Sequence, residues 1–174
     1  MELTILQNIP RSGFFDSVFL FLSKIGTYGL VWLAAGIVLL FFKQTRRAGA
    51  GVLIGCVGVL LFGELLLKHV VTRVRPCEVD QTFRLLVERP TSSSFPSTHS
   101  AFAFAAATAI FMNHKKSGIA VFVAALLVSF SRLYLFLHYP TDVLAGAALG
   151  VIMGIAGVKI YDFARKKLQK APQT

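Results

Sequence analysis

Charged residues are scarce in this chain of 174 residues, of which Asp, Glu, Lys and Arg make up only 15%. Soluble domains carry about 25%. Hydrophobic residues, by contrast, make up 55% of the sequence, and a soluble domain of this size could not bury that much apolar surface. The scarcity of charge therefore excludes an ordinary soluble fold and indicates a membrane protein. The length suits one domain, covering residues 1–174.

Acidic residues are especially few: 8 against 18 basic residues, for a formal net charge of +10. In a soluble protein this excess would indicate nucleic acid, but here the basic residues cluster between apolar runs. Membrane orientation and contact with anionic lipid explain them better, so no nucleic-acid partner is predicted. Cysteine is also rare, and Cys56 and Cys77 lie in unlike surroundings, so no disulfide framework is expected. The first ten residues lack the pattern of a cleavable signal peptide.

The sequence also lacks the many short alternating segments of a membrane β-barrel. It contains long apolar runs instead, and a helix is the structure that satisfies their backbone within lipid. Five strong runs cover residues 25–42, 48–63, 101–112, 118–131 and 143–158. The run at 48–63 should continue as a helix to about Val71. A weaker run at 14–22 contains Asp16, and either spans the membrane or lies in the interface. We predict an all-α, polytopic transmembrane bundle of six helices, five strong spans and a shorter first one.

The basic clusters alternate along the chain. They consist of Lys43, Arg46 and Arg47; Lys115 and Lys116; and Arg165, Lys166, Lys167 and Lys170. A threading that puts these clusters and Arg11 in the cytoplasm leaves residues 72–95 and 138–141 outside. The outer loop holds four arginines, but three acidic residues accompany them. We predict a protein of the inner (cytoplasmic) membrane with both termini cytoplasmic.

The first polar cluster joins Lys68 to Arg75 and Pro76. The two cations are seven residues apart, so on a helix ended by Pro76 they would face the same way. Such a pair could bind an anion such as phosphate. The alternative is that the two cations simply extend to the membrane surface from a helix end. Glu64 precedes Lys68 by four residues, the favourable order for an ion pair. Glu64 therefore either holds Lys68 extended or faces a polar gap and helps only folding.

The second cluster, Phe-Pro-Ser-Thr-His-Ser at residues 95–100, opens an apolar helix. Ser97 is a candidate N-cap, and the free N–H groups that follow it can bind an anion. His99 would then lie in the first turn. The alternative is a simple cap with an interfacial histidine.

The third cluster runs from Ser131 and Arg132 to His138 and Asp142. His138 and Asp142 are four residues apart, so they can touch at a helix start. A carboxylate that accepts a hydrogen bond from one ring nitrogen would leave the other free as a nucleophile. The alternative is a capping Asp after a turn with Pro140, beside a boundary histidine.

Ionisable groups at membrane depth are costly and usually functional. The threading brings all three clusters to the outer side of the membrane. Together they supply cations, a nucleophile, an orienting carboxylate and a general acid, which is the set that phosphoryl transfer requires.

The patterns Lys-x6-Arg-Pro, Pro-Ser-x-His and Ser-Arg-x5-His-x3-Asp occur in order over residues 68–142. They resemble the type 2 phosphatidic acid phosphatase superfamily, which also includes vanadium haloperoxidases. The resemblance implies that His138 attacks phosphorus and forms a phosphohistidine, that Asp142 orients His138, and that His99 protonates the leaving oxygen. It also implies that no metal or other cofactor takes part. The residues implied to bind phosphate are Lys68, Arg75, Ser97, Thr98 and Arg132.

Thr98 departs from the family, which usually has glycine at this position. Glycine allows close backbone approach to an oxyanion, so the pocket of this chain should be tighter. The expected function is hydrolysis of a phospholipid or isoprenoid lipid phosphate in the bilayer, of the undecaprenyl pyrophosphate or phosphatidylglycerophosphate class. A lipid A phosphatase is one alternative. A transporter is another, disfavoured because no internal repeat or broken helix is evident. The sequence does not indicate an oligomeric state.

Overall fold

The computed structural model describes residues 1–170, apart from the side chains of Tyr28 and Lys170. Within these residues the regular elements are all helical. The principal helices are α1 (Glu2–Gln7), α2 (Gly13–Ile25), α3 (Leu30–Leu40), α4 (Arg46–Val70), α5 (Pro76–Val79), α6 (Thr98–Phe111), α7 (Lys115–Tyr134) and α8 (Pro140–Lys170). The predicted all-α class is confirmed.

In the part of the chain that the structure describes, three helices, α4, α7 and α8, are each long and apolar enough to cross a membrane. Helices α2 and α3 meet at 56° and pass the same test only as a pair, while α6 is shorter. The predicted count of six spans is therefore not confirmed. Residues 25–42 do not form one helix, because a 3-10 turn at Thr27–Gly29 separates α2 from α3. Gly29 has φ +70°, and a Cβ there would lie 2.8 Å from the Phe102 ring.

Helix α6 lies at the centre of the bundle, with its alanines buried. Helix α8 packs against it through glycines at four-residue spacing, Gly146, Gly150 and Gly154. A Cβ at Gly154 would lie only 2.6 Å from the carbonyl oxygen of Ala105. Small residues of this kind let helix backbones approach closely in a membrane. The close packing fixes the start of α8 beside the start of α6.

The two ends of the bundle differ in what they carry. The motif end, as we call it, holds the C-terminal ends of α4 and α7, the starts of α6 and α8, and residues 71–95 with α5. At the opposite, basic end, Arg47 binds Asp162 at 2.7 Å and the carbonyl oxygen of Met112 at 3.1 Å. These contacts join α4 to α8 and to the connection between α6 and α7.

The N-terminal helix lies at the motif end. Glu2 accepts hydrogen bonds from Arg73 and from the backbone of Thr141, and Arg11 donates to the carbonyl oxygen of Tyr134. The bent pair α2–α3 then runs to the basic end, where Arg46 binds the carbonyl oxygen of Leu40. In the described residues α1 thus lies at the motif end and the last turns of α8 lie at the basic end, so the prediction that Arg11 and both termini share the side of the basic clusters is not confirmed. Helices α2 and α3 pass the length and hydropathy test for a span only as one bent pair, where the sequence suggested two spans.

Candidate active site

A cavity of about 450 Å³ opens at the motif end. It is lined by side chains from α4, α6, α7, the turn before α3, and the loops before α6 and α8. These are Thr27, Leu60, Glu64, Lys68, Arg75, Pro90, Ser92, Thr98, His99, Phe102, Arg132 and His138. Six of the eight site residues predicted from the sequence line this cavity together; Ser97 and Asp142 lie behind it.

Lys68 and Arg75 meet in the cavity, but not on one helix face. Helix α4 ends at Val70, and Arg75 has the extended backbone (φ −75°, ψ 153°) of the residue that caps α5. The Arg75 side chain is buried and donates to the carbonyl oxygens of Ser92 at 2.8 Å and Leu137 at 3.0 Å. The loop therefore aims this guanidinium, and Pro76 starts a short helix where the sequence predicted the end of a long one.

The predicted ion pair between Glu64 and Lys68 is confirmed. The Lys68 Nζ lies 3.0 and 2.9 Å from the two Glu64 carboxylate oxygens. Within α4, Val59–Leu67 is a π-helix, which is wider than an α-helix. Glu64 lies in this stretch and Lys68 directly follows it. Residues four apart stay closer to one face in this wide turn than in a turn of 3.6 residues. Leu60, Glu64 and Lys68 accordingly form one stripe along the cavity wall.

Arg132 lies in the last turn of α7 and is 5% exposed. Its Nη1 donates to the Ser23 hydroxyl at 2.5 Å, and its buried Nε has no hydrogen-bond partner among the described residues. A buried guanidinium with so little compensation is costly unless an anion joins it. An anion in the cavity would offset this cost.

Ser97 caps α6 by position, as predicted, but its hydroxyl binds the Ser100 hydroxyl at 3.0 Å and makes no capping bond. Its backbone N–H donates to the carbonyl oxygen of Asp142 at 3.0 Å, which joins the starts of α6 and α8. Thr98 and His99 follow in the first turn and face the cavity. The side chain of Ser97 does not, so its predicted contact with phosphate stays a prediction.

His138 is 3% exposed and presents its two ring nitrogens to different partners. Nδ1 lies 2.7 Å from the carbonyl oxygen of Ser94, while Nε2 lies 3.2 Å from the Arg75 guanidinium. A carbonyl oxygen can only accept, so Nδ1 carries the proton and Nε2 keeps its lone pair. Burial, together with the positive charge of Arg75, lowers the pKa of His138, which keeps the ring neutral.

Asp142 is fully buried behind His138, and its Oδ2 lies 3.8 Å from the histidine Nδ1. That distance is too long for a hydrogen bond, so the predicted direct bond between the two is not formed in this structure. Asp142 accepts hydrogen bonds from the Ser94 hydroxyl at 2.5 Å and the Tyr139 backbone at 2.9 Å, and also pairs with Arg73. Its role in orienting His138 stays a prediction.

Sequence reasoning missed the residues that support the site. Ser92 and Ser94 belong to a Thr-Ser-Ser-Ser run at residues 91–94, a small polar stretch between α5 and α6 that could have drawn attention. Ser23, the partner of Arg132, lies 109 residues away from it, and no spacing rule connects the two. Residues 1–170 contain no group of three His, Cys, Asp or Glu side chains placed to hold a metal ion, and metal independence stays a prediction.

The family model described as "PAP2 superfamily" matches residues 49–166. The chain belongs to the PAP2 superfamily. It is 34% identical over 161 residues to an undecaprenyl-diphosphatase of Sulfolobus acidocaldarius, covering 92% of this chain and 77% of that protein. It also resembles the crystal structure of Aquifex aeolicus LpxE, with TM-score 0.71, 28% identity, and coverage of 90% of this chain and 92% of that one.

A second solved structure belongs to a transmembrane PAP2-type phosphatidylglycerolphosphate phosphatase from Bacillus subtilis. The likeness has TM-score 0.73 and 28% identity, and covers 98% of this chain and 87% of that one. The family resemblance predicted from three motifs is confirmed, and so are the membrane location and the phosphatase class of enzyme.

Proposed function

We propose that this PAP2 chain hydrolyses the terminal phosphate of a membrane lipid through a phosphohistidine at His138, without a metal ion. The observation that carries the proposal is the arrangement inside one cavity. A neutral ring nitrogen of His138 faces a space enclosed by Lys68, Arg75 and Arg132. Glu64 is the acidic residue in the lining of this space, and its carboxylate is paired with Lys68.

In the first step the three cations hold the non-bridging phosphate oxygens, which carry the developing charge. The His138 Nε2 attacks phosphorus while the bond from phosphorus to the lipid oxygen breaks, and His99 gives that oxygen its proton. In the second step water attacks the phosphohistidine and gives a proton to His99. The bond from phosphorus to nitrogen breaks, inorganic phosphate leaves, and both histidines return to their starting states.

The cavity also has an apolar side, formed by Leu60 and Phe102 beside the bend between α2 and α3. An isoprenoid or acyl chain fits such a wall, whereas a free sugar phosphate would gain nothing from it. The substrates we favour are undecaprenyl pyrophosphate and phosphatidylglycerophosphate, in keeping with the names of the relatives. Lipid A is the alternative within the same mechanism.

A substrate panel on the purified protein tests the proposed function. Undecaprenyl pyrophosphate, phosphatidylglycerophosphate and lipid A would be offered in detergent, with and without EDTA, and phosphate release measured. We expect release from at least one lipid, unchanged by the chelator. Release that requires an added divalent ion, or none from any lipid, would contradict the proposal.

We further propose that the motif end faces the outside of the inner membrane. The basic end carries Arg46, Arg47, Lys115 and Lys116, and the last turns of α8 add more basic residues. Short basic segments of this kind stay in the cytoplasm. Because α1 lies at the motif end, the N-terminal helix is then extracytoplasmic, while α8 ends in the cytoplasm.

Labelling of single cysteines in intact cells tests this orientation. A membrane-impermeant maleimide should modify Thr4→Cys and Glu88→Cys but not Lys116→Cys, three exposed positions. Cys56 and Cys77 are free and buried, so the wild-type background should be low. Labelling of Lys116→Cys without the other two would show the opposite orientation. Labelling of Glu88→Cys alone would place α1 on the cytoplasmic side and contradict its proposed position.

Glu64→Gln tests whether the confirmed ion pair positions Lys68. We expect kcat/KM to fall about five- to tenfold, which corresponds to roughly 1 kcal/mol, the net contribution of one hydrogen bond, because Lys68 loses its fixed extended position. Expression and the thermal unfolding midpoint should stay near wild type, as in the exposed control Glu88→Gln. If Glu64 only supports packing, the midpoint falls and activity per folded molecule does not.

A further inference from the structure

Arg73 lies behind the candidate active site, on the extended segment between α4 and α5. Its Nη1 donates to Asp142 Oδ1 at 2.6 Å and to the Thr141 hydroxyl at 2.7 Å. Its Nη2 donates to Glu2 Oε2 at 2.6 Å. The guanidinium also covers the Tyr139 ring, with Cζ 4.1 Å from the ring centroid. Arg73 therefore joins α1 to the buried carboxylate behind His138.

Glu2 holds this guanidinium from the other side. Its Oε1 accepts hydrogen bonds from the backbone N–H of Thr141 at 3.0 Å and from the Thr141 hydroxyl at 2.8 Å. Burial opposes the charge of Glu2, but the hydrogen bonds from Thr141 and Arg73 more than compensate and leave the pKa of Glu2 below its ordinary value. Glu2 is thus an anion that fixes Arg73 against the first turn of α8.

The main chain of Arg73 fixes the second group behind His138. Its carbonyl oxygen accepts from the Ser94 N–H at 2.9 Å, and its own N–H donates to the Ser93 hydroxyl at 3.1 Å. Ser94 in turn accepts a hydrogen bond from His138 Nδ1 on its carbonyl oxygen, and its hydroxyl donates a hydrogen bond to Asp142. One residue therefore holds both Ser94, by its main chain, and Asp142, by its side chain.

We propose that Arg73, braced by Glu2, is a positioning residue that fixes the ring of His138 through Ser94 and Asp142, so that α1 is part of the support of the active site. The proposal rests on the proposed function, since it concerns the nucleophile of that reaction. Asp142 has no exposed surface, so water cannot replace the guanidinium without local rearrangement. Without the Arg73 guanidinium, Oδ1 of Asp142 loses its partner and only Oδ2 stays bound, to Ser94 and Tyr139. The carboxylate is then held less firmly, and so is Ser94, whose carbonyl oxygen fixes the direction of the His138 ring.

The test is steady-state kinetics of Arg73→Gln, with the lipid substrate of the wild-type enzyme and the purification tag at the C-terminus, away from Glu2. We expect kcat to fall about 10- to 100-fold, the loss typical of residues that hold the ligands of a catalytic metal ion in place, while KM stays close to the wild-type value. Arg73→Lys should be intermediate, because an ammonium supplies one point charge in place of a fork. The matched control is Arg84→Gln, an exposed arginine of the same connection, which should resemble wild type.

A double-mutant cycle tests whether Glu2 affects His138 through Arg73 or only attaches α1 to the rest of the protein. Glu2→Gln should lower kcat by a smaller factor than Arg73→Gln. It should cause no further loss in the Arg73→Gln background, because Glu2 acts through Arg73. Additive losses would show that Glu2 affects the site by another route, which overturns its part of the proposal.

Two results would overturn the positioning role of Arg73. One is an unchanged kcat per folded molecule in Arg73→Gln, whatever happens to its unfolding temperature. The other is a raised KM with kcat unchanged, which would make Arg73 a direct substrate contact. If the wild-type protein released no phosphate from any lipid, the proposed function would fail and this inference with it. An active wild type beside an unaffected Arg73→Gln would end this inference alone.

Discussion

His138→Ala should abolish turnover. We expect kcat to fall by more than about 10⁴-fold, as when the nucleophile is removed from other enzymes with covalent intermediates. Among the residues that line the cavity, His138 places an unprotonated nitrogen, Nε2, beside the cation cluster, because its Nδ1 carries the proton and donates a hydrogen bond to the Ser94 carbonyl oxygen. The measurement is phosphate release in a single turnover with enzyme in excess.

The control for this loss is His99→Ala, which removes the general acid and leaves the nucleophile. It should cost less, about 10²- to 10⁴-fold. Because His138 is buried, His138→Asn is a second variant that keeps a polar side chain in the same space. Residual activity in either His138 variant above that of His99→Ala would remove His138 from the role of nucleophile.

Arg132→Met should lose activity and yet gain stability. We expect kcat/KM to fall about 10²- to 10³-fold, the effect of losing one main donor to the developing charge. The protein, however, buries this guanidinium, which donates to the Ser23 hydroxyl and whose Nε has no hydrogen-bond partner among residues 1–170. Replacing such a charge with an apolar side chain of similar length is often neutral or stabilising. The thermal unfolding midpoint of the variant should therefore equal or exceed that of wild type.

Phosphate adds a second measurement to the same pair of proteins. A ligand that binds only the folded state raises the unfolding midpoint, so inorganic phosphate should raise it for wild type and much less for Arg132→Met. The exposed control Arg84→Met should respond to phosphate as wild type does. A lowered midpoint with unchanged kcat/KM would show that Arg132 is a structural residue.

The fold class and most of the site follow from local sequence. Scarce charge and long apolar runs were enough to predict membrane helices, and the Glu64–Lys68 pair follows from a spacing of four residues on one helix. His99 and Thr98 were predicted at a helix start because a cap residue precedes an apolar run. In each case the residues concerned are neighbours on a single element, where periodicity determines which side chains meet.

The errors concern features that periodicity does not determine. The uncharged run at residues 25–42 gave no sign of the bend, which depends on Gly29 and on Phe102 packed against it. A signal was available for Arg75: it precedes a proline, which disfavours the α conformation, and β-branched residues surround it. That pattern favours the extended segment that the structure shows.

The support behind His138 could not be predicted from spacing at all. Arg73 meets Asp142 across 69 residues, and Ser94 meets it across 48. These contacts exist because α6 and α8 begin side by side and residues 71–95 fold back over them. The spacing of four residues predicted that Asp142 contacts His138 directly, whereas here the Ser94 carbonyl oxygen is the group within hydrogen-bond distance of the ring.

Trapping the covalent intermediate tests the central claim most directly. Purified protein would be mixed with a lipid substrate labelled in its terminal phosphate, in the presence of EDTA, denatured at alkaline pH within one turnover, and digested for mass spectrometry. We expect the label on the peptide that contains His138, stable to alkali and lost in acid, with the same label absent from His138→Asn. Phosphate release at the wild-type rate with no labelled protein, or a label on any other residue, would contradict the phosphohistidine mechanism.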